Sequence, residues 1–161
     1  MIQSHENEKL TFGLLADVPA LIPLLTEWFQ TEWAPYYGAG GPGDARADLL
    51  CSCNRRQLPL CLVAFSGQGE PVGTVSLKDE SISHSHLSPW VAELLVAPQH
   101  RGKGVGTALM AAVENKAREL GFAELYVSTD QAAGIVESRG WRAFDRTDSL
   151  RGPVTVYSLA L

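Results

Sequence analysis

The chain is predicted to fold as one α/β (α+β) domain over residues 1–161, a mixed central sheet of about six to seven strands flanked by helices. Three observations predict this. Strand-like apolar runs alternate along the chain with segments of helical period, without internal repeats. One run, PWVAELLVA, is nearly all apolar, as a central strand buried on both faces must be. That run leads through a glycine-rich turn into a segment with a clear amphipathic stripe.

The elements follow in order. Lys9 to Leu15 reads as a first strand. Asp17 is placed to cap a helix, with Pro19 in its first turn and Leu21, Leu24, Leu25, Trp28 and Phe29 at helical spacing. Ala34 to Gly43, APYYGAGGPG, is a loop by composition, and a shorter helix is expected from Asp44 to Arg56. LPLCLVAF and PVGTVSLKD flank SGQGE as a hairpin does. After the polar SISHSHLS and the central strand, a helix carries Leu109, Met110, Val113, Ala117 and Leu120 along one face. Lys116 and Arg118 suit the negative end of its dipole, and Gly121 suits its C-cap. AELYVST, a short helix from Gln131 to Arg139 and two final strands complete the domain.

Composition narrows the function classes. A hydrophobic fraction of 45% with 19% charged residues is that of a globular domain. A net charge of −5 argues against nucleic acid as a partner and is compatible with a cationic small ligand. No apolar run reaches the length of a membrane span, and MIQSHENEK reads as neither signal nor transit peptide, so a cytoplasmic location is expected. Cys51, Cys53 and Cys61 are odd in number and lack zinc-ligand spacing, so reduced thiols and no metal are expected.

The densest signal is VAPQHRGKGVGTALM. Glycine costs backbone entropy and packs nothing, so Gly102, Gly104 and Gly106 together require a reason. A strand entering such a turn at a helix N-terminus converges backbone N–H groups and dipole charge on an anion, with Arg101 and Lys103 adding full charges. A Walker A loop would place its lysine after the second glycine, whereas Lys103 lies between two. A dinucleotide fingerprint would need a third glycine where Thr107 stands, although Asp130 lies downstream at about the distance of a ribose-binding acid. Both nucleotide readings, including a nucleotide-binding oxidoreductase, fail on spacing.

Arg101-Gly102-Lys103-Gly104-Val105-Gly106, after Val96-Ala97-Pro98, resembles the acyl-CoA motif [QR]-x-x-G-x-[GA] of the GNAT superfamily of N-acyltransferases. LYVST, ESRGW and the final RGPVTVYSLAL continue the resemblance in the same order of elements. It implies a sheet whose central strands splay apart and an acetyl group passed directly from acetyl-CoA to a primary amine of a small molecule, peptide or protein. It further implies that Leu94, Leu95 and Val96 pair with the pantetheine arm and that Arg101, Gly102, Lys103, Gly104, Val105, Gly106 and Thr107 receive the diphosphate. Asp130 is a further candidate on the cofactor side, and a homodimer is compatible with this reading. An acyl-CoA-binding or sensing protein of the same fold is the alternative.

The chemistry needs a base for the ammonium and benefits from an acid for the leaving thiolate. Family members often carry a tyrosine as that acid, but alignment on Gly140-Trp141 puts Val136 there, leaving Ser138, Ser128 and Tyr126 as candidates nearby. Glu93, the one charge within PWVAELLVAP, is either the base or a paired carboxylate at the splay. His84 and His86 precede that strand, and Trp33, Tyr36 and Tyr37 follow the first helix. In the family both regions flank the acceptor, so these five are candidate acceptor contacts, with solvated loop and simple packing as their alternatives.

Overall fold

The computed structural model describes residues 9–81 and 83–161, so most of MIQSHENEK lies outside the described residues. Seven strands form one sheet: β1 (Thr11–Leu14), β2 (Leu60–Phe65), β3 (Pro71–Lys78), β4 (Trp90–Val96), β5 (Glu124–Thr129), β6 (Arg142–Ser149) and β7 (Gly152–Ala160). Their order is β1-β2-β3-β4-β5-β7-β6. Among the described residues five α-helices accompany them: α1 (Ile22–Glu32), α2 (Ala34–Tyr37), α3 (Ala45–Cys51), α4 (Val105–Glu119) and α5 (Ala133–Ser138). All strand pairs are antiparallel except β4 with β5.

Two apolar cores lie on opposite faces of the sheet. On one, Leu60, Leu62, Val75, Leu77 and Val91 pack against Leu109, Met110, Val113 and Ala117 of α4 and Val136 of α5. On the other, Cys61, Val63 and Leu95 pack against Leu25 and Phe29 of α1 and Leu49 of α3. The stripe expected on α4 is therefore its core face. Gly121, at φ +90°, ends the helix, and the Phe122 N–H reaches back to the Ala117 carbonyl at 3.1 Å.

Three expectations are corrected. Asp17 caps nothing: the chain makes two 3-10 turns, Leu15–Asp17 and Pro19–Leu21, before α1, and Asp17 instead pairs with Arg55. The segment from Ala34 is loop only after its first residues, because Ala34–Tyr37 forms one helical turn. The next helix starts where expected, with Asp44 accepting the Ala47 N–H, but it stops at Cys51 rather than Arg56. Asn54 explains the stop, since its amide donates to the carbonyls of Cys51 and Pro59 at 2.9 and 2.7 Å and turns the chain towards β2.

Buried polar groups tie the α4 side together. Glu114 of α4, 2% exposed, accepts both fork nitrogens of Arg139 at 2.8 and 2.9 Å and the Trp141 indole N–H at 3.0 Å. The ESRGW segment thus locks α5 and the start of β6 onto α4 through one carboxylate. Cys51, Cys53 and Cys61 are free thiols. No helix among the described residues is long and apolar enough to cross a membrane.

Candidate active site

Strands β4 and β5 meet at a single paired position, Trp90 with Tyr126, and then diverge. The β5-facing edge of Glu93 to Val96 consequently has no strand beside it among the described residues. Two cavities fill the gap. One, of about 400 Å³, lies at the glycine-rich turn between Leu94, Leu95, Val96, Arg101, Gly102, Gly104 and Thr107, and reaches α5 at Ile135. The other, of about 910 Å³, lies further along the splay and is walled by α2, β4, β5 and the β6–β7 hairpin. Leu94, Gln131 and Ala132 border both, so the two spaces adjoin.

Two of the three glycines of the turn hold backbone that glycine favours. Gly102 and Gly104 sit at φ +76° and +83°, a region that costs an L-residue about 1–2 kcal/mol. A Cβ at either position would meet nothing within 4 Å, so their bare backbone faces open space at the N-terminus of α4. Gly106 differs: a Cβ there would stand 3.0 Å from Ile135, so its glycine lets α4 approach α5. Arg101 turns back on the protein, donating from Nε to the Val96 carbonyl at 2.8 Å and from its terminal nitrogen to Glu32 at 2.9 Å. It thereby pins the end of β4 to α1 while remaining half exposed at the cavity wall. Lys103 is exposed and outside both linings, whereas Val105 is buried at the rim of the smaller cavity.

Glu93 is the centre of the larger cavity's polar chemistry. The β3–β4 register sets Ser76 against Ala92 and Thr74 against Leu95, so Glu93 and Leu94 together oppose Val75. This is a β-bulge, and Glu93 holds φ +55° within it. Alternation from Val91 would have sent the Glu93 side chain into the apolar core beneath α4. The bulge turns it to the other face, where Ser76 and Lys78 point. There Oε1 accepts Ser76 at 2.6 Å, and Oε2 accepts Lys78 at 2.6 Å and Tyr37 at 3.0 Å. Thr74 holds the Glu93 carbonyl at 3.0 Å. Burial lowers the Lys78 pKa, but the charge and hydrogen bond of Glu93 outweigh it, so the ammonium is held above its usual range. Burial, Glu93 and then Asp48 all push the Tyr37 phenol upward, so it stays neutral.

Of the five aromatic and histidine candidates, the three aromatics reach the cavity. Trp33, Tyr36 and Tyr37 line it and also pack on one another and on Phe29, so lining and packing coexist. His84 and His86 are absent from the lining. The His84 ring bonds Asp145 and Ser83, each at 2.7 Å, and packs near Trp90 and Phe144. Ser83 of the same loop does line the cavity. Ser138 donates to the Ile135 carbonyl at 2.8 Å and does not reach the cavity; Tyr126 bonds Glu124 instead. Val136 is fully buried and lines the wall with Ser128 and Asp130. Sequence reading missed Lys78 and Ser76, which only the strand register brings to Glu93, Asp48, which the fold of α2 and α3 brings to Tyr37, and the hairpin residues Thr147 to Arg151 that close the far wall.

Residues 24–136 match the sequence profile of the acetyltransferase (GNAT) family. With a mixed sheet opened at its centre and a glycine-rich turn feeding α4, the chain belongs to that family and is an acyltransferase of the GNAT class. Its fold is similar to that of an aminoglycoside 6'-N-acetyltransferase complexed with coenzyme A, at TM-score 0.74 and 15% identity over 93% of this chain and 96% of the other. A GCN5-related N-acetyltransferase from Kribbella flavida gives 0.69 and 22%, over 98% and 100%. The structure of yncA from Salmonella typhimurium with its cofactor acetyl-CoA gives 0.67 and 20%, over 96% and 94%. No curated protein sequence matches the chain significantly.

Proposed function

We propose that the chain transfers an acetyl group from acetyl-CoA directly to a primary amine, with the splay between β4 and β5 as the channel for the thioester. The observation that carries this reading is the adjoining pair of cavities, one at the glycine turn and one beside Glu93. The diphosphate fits the N–H groups of Gly102 to Thr107, where two positive-φ glycines leave the backbone bare. The pantetheine arm lies along the unpaired edge of Leu94 to Val96, and the acetyl group then reaches the larger cavity at the bulge. A backbone N–H polarises the thioester carbonyl, and Glu93 takes a proton from the acceptor, directly or through water.

The acceptor enters between α2 and the β6–β7 hairpin. Trp33, Tyr36, Pro35 and Pro42 offer it an apolar wall, and Asp130 and Asp148 offer carboxylates to a cation. A small-molecule amine and a peptide or protein amine both satisfy this wall chemically; the first is favoured by the likeness to aminoglycoside acetyltransferases. No side-chain acid stands at Val136, so the thiolate leaves as such or takes a proton from water or the attacking amine. Val136 also favours a second reading, an acyl-CoA-binding protein with little catalysis. Purified protein incubated with acetyl-CoA and spermidine, kanamycin, tyramine or a lysine peptide separates the two. Amine-dependent thiol release with an acetylated product supports transfer, and tight acetyl-CoA binding without release supports sensing.

A further inference from the structure

Transfer of an acetyl group from a thioester to an alkyl ammonium releases one net proton. The ammonium has three hydrogens, the amide product keeps one, and the thiol takes one. At neutral pH only about one alkyl amine in a thousand is already deprotonated, so nearly every turnover starts with that proton on the acceptor. Glu93 can take it, but Glu93 is 8% exposed at its side chain, with Ser76, Lys78 and the Tyr37 hydroxyl all within hydrogen-bond distance. A base so enclosed has to pass its proton onward before the next turnover.

The structure supplies a neighbour for this. The Tyr37 hydroxyl stands 3.0 Å from Glu93 Oε2 and 2.6 Å from Asp48 Oδ2. It has one hydrogen and two carboxylate oxygens to give it to. When that hydrogen points to Asp48, the phenol oxygen presents its lone pairs to Glu93. Asp48 is half-buried on α3 and is not part of the cavity lining. The three groups therefore run from the cavity wall, through α2, to a half-buried carboxylate on α3.

We propose that Glu93, Tyr37 and Asp48 form a proton-release relay that carries the acceptor's proton out of the cavity, an inference that rests on the acyl-transfer reading above. A proton taken up at Glu93 Oε2 moves to the Tyr37 oxygen as the phenolic proton moves to Asp48 Oδ2. Asp48 then gives it to solvent, and rotation of the hydroxyl restores the starting state. No bond other than O–H is made or broken, and each group ends as it began. Tyr37 stays neutral throughout, consistent with a phenol held well above its ordinary range by burial and by two carboxylates. Ser76 and Lys78 fix the carboxylate, so Oε2 stays aimed at the phenol. Asp48 acts through Tyr37 and is a positioning residue; it touches no reacting atom.

The test uses Tyr37→Phe and Asp48→Asn in the full chain. Each change keeps shape: the Tyr37 ring retains its stacking on Phe29, and the Asp48 side chain caps no backbone N–H. Initial rates of thiol release are measured with the amine that wild type uses best, with imidazole raised at fixed pH and ionic strength. Both variants should lose about tenfold or more in kcat while KM for acetyl-CoA stays within about twofold. Imidazole, by taking the proton from Glu93 directly, should restore a large part of that loss in both variants and leave wild type unchanged. Wild-type kcat in either folded variant, or a loss that imidazole does not touch, overturns the relay while leaving acyl transfer standing. Wild type without amine-dependent thiol release overturns acyl transfer, and the relay with it.

Discussion

Glu93 combines two features that rarely meet in a strand, a charge in an apolar run and a left-handed backbone. The positive φ costs about 1–2 kcal/mol, and the bulge is what directs the carboxylate to Ser76, Lys78 and Tyr37 instead of the α4 core. Glu93→Gln keeps the shape: its amide oxygen can accept from Lys78 and Tyr37 while its NH2 donates to the Ser76 hydroxyl, so folding and acetyl-CoA affinity should persist. Turnover should fall by about a hundredfold, the ordinary scale of general-base catalysis, and the acidic limb of the kcat profile should vanish. Near-normal turnover with an unchanged profile would move the base elsewhere. Arg101 carries a second prediction. Its guanidinium joins Val96 and Glu32 at the cavity wall, so Arg101→Ala loosens the end of β4 and removes a charge beside the proposed diphosphate site. Acetyl-CoA affinity should fall by about 10- to 100-fold, as calorimetry reads it, because a charged hydrogen bond is worth about 1.5–3 kcal/mol. Unchanged affinity would confine Arg101 to a structural role.

At the scale of elements, two contacts between distant segments set the frame of the site. Arg139 and Trp141 bring α5 and β6 to the buried Glu114 of α4, and α5 in turn carries Ile135 and Val136 to the cavities. Arg139→Ala strands a buried carboxylate, a loss of about 3 kcal/mol. Thermal unfolding should shift down by roughly 6–12 °C for a domain of this size. A shift of a degree or two would show that Glu114 finds water instead. The His84 contact joins the loop before β4 to β6. Its hydrogen bond, with a smaller contribution from the Arg146 N–H, holds the Asp145 carboxyl below the usual aspartate range. A depressed carboxylate stabilises the fold above its unfolded value, near pH 4, and the contribution disappears as pH falls through the folded value. Asp145 should therefore titrate lower than a free aspartate by NMR, and His84→Ala should return it most of the way. Equal titration in both proteins would remove the tether.

At the scale of the whole molecule, what was legible in the sequence was what neighbouring residues determine. The central strand, the glycine turn and the α4 stripe each lie within one short stretch, where period and composition suffice. Glu93 stood out for the same reason, as one charge among apolar neighbours. Its surroundings did not, because Ser76 and Lys78 reach it by antiparallel register with a bulge, and the packing of α2 and α3 sets Asp48 on Tyr37, which in turn touches it. Asp17 misled for a related reason: it carries a plausible local role that a distant partner, Arg55, takes over. Whether the splay and its glycine turn take acyl-CoA is read by calorimetric titration of the protein with acetyl-CoA, in parallel with NAD and with the folded Gly104→Val variant. Acetyl-CoA should saturate wild type one to one, NAD should give no saturable heat, and Gly104→Val should weaken acetyl-CoA by about a hundredfold or more by filling the open space proposed for the diphosphate. Binding of NAD in preference to acetyl-CoA, or full acetyl-CoA affinity in the variant, would contradict the assignment of the splay and its glycine turn to acyl-CoA.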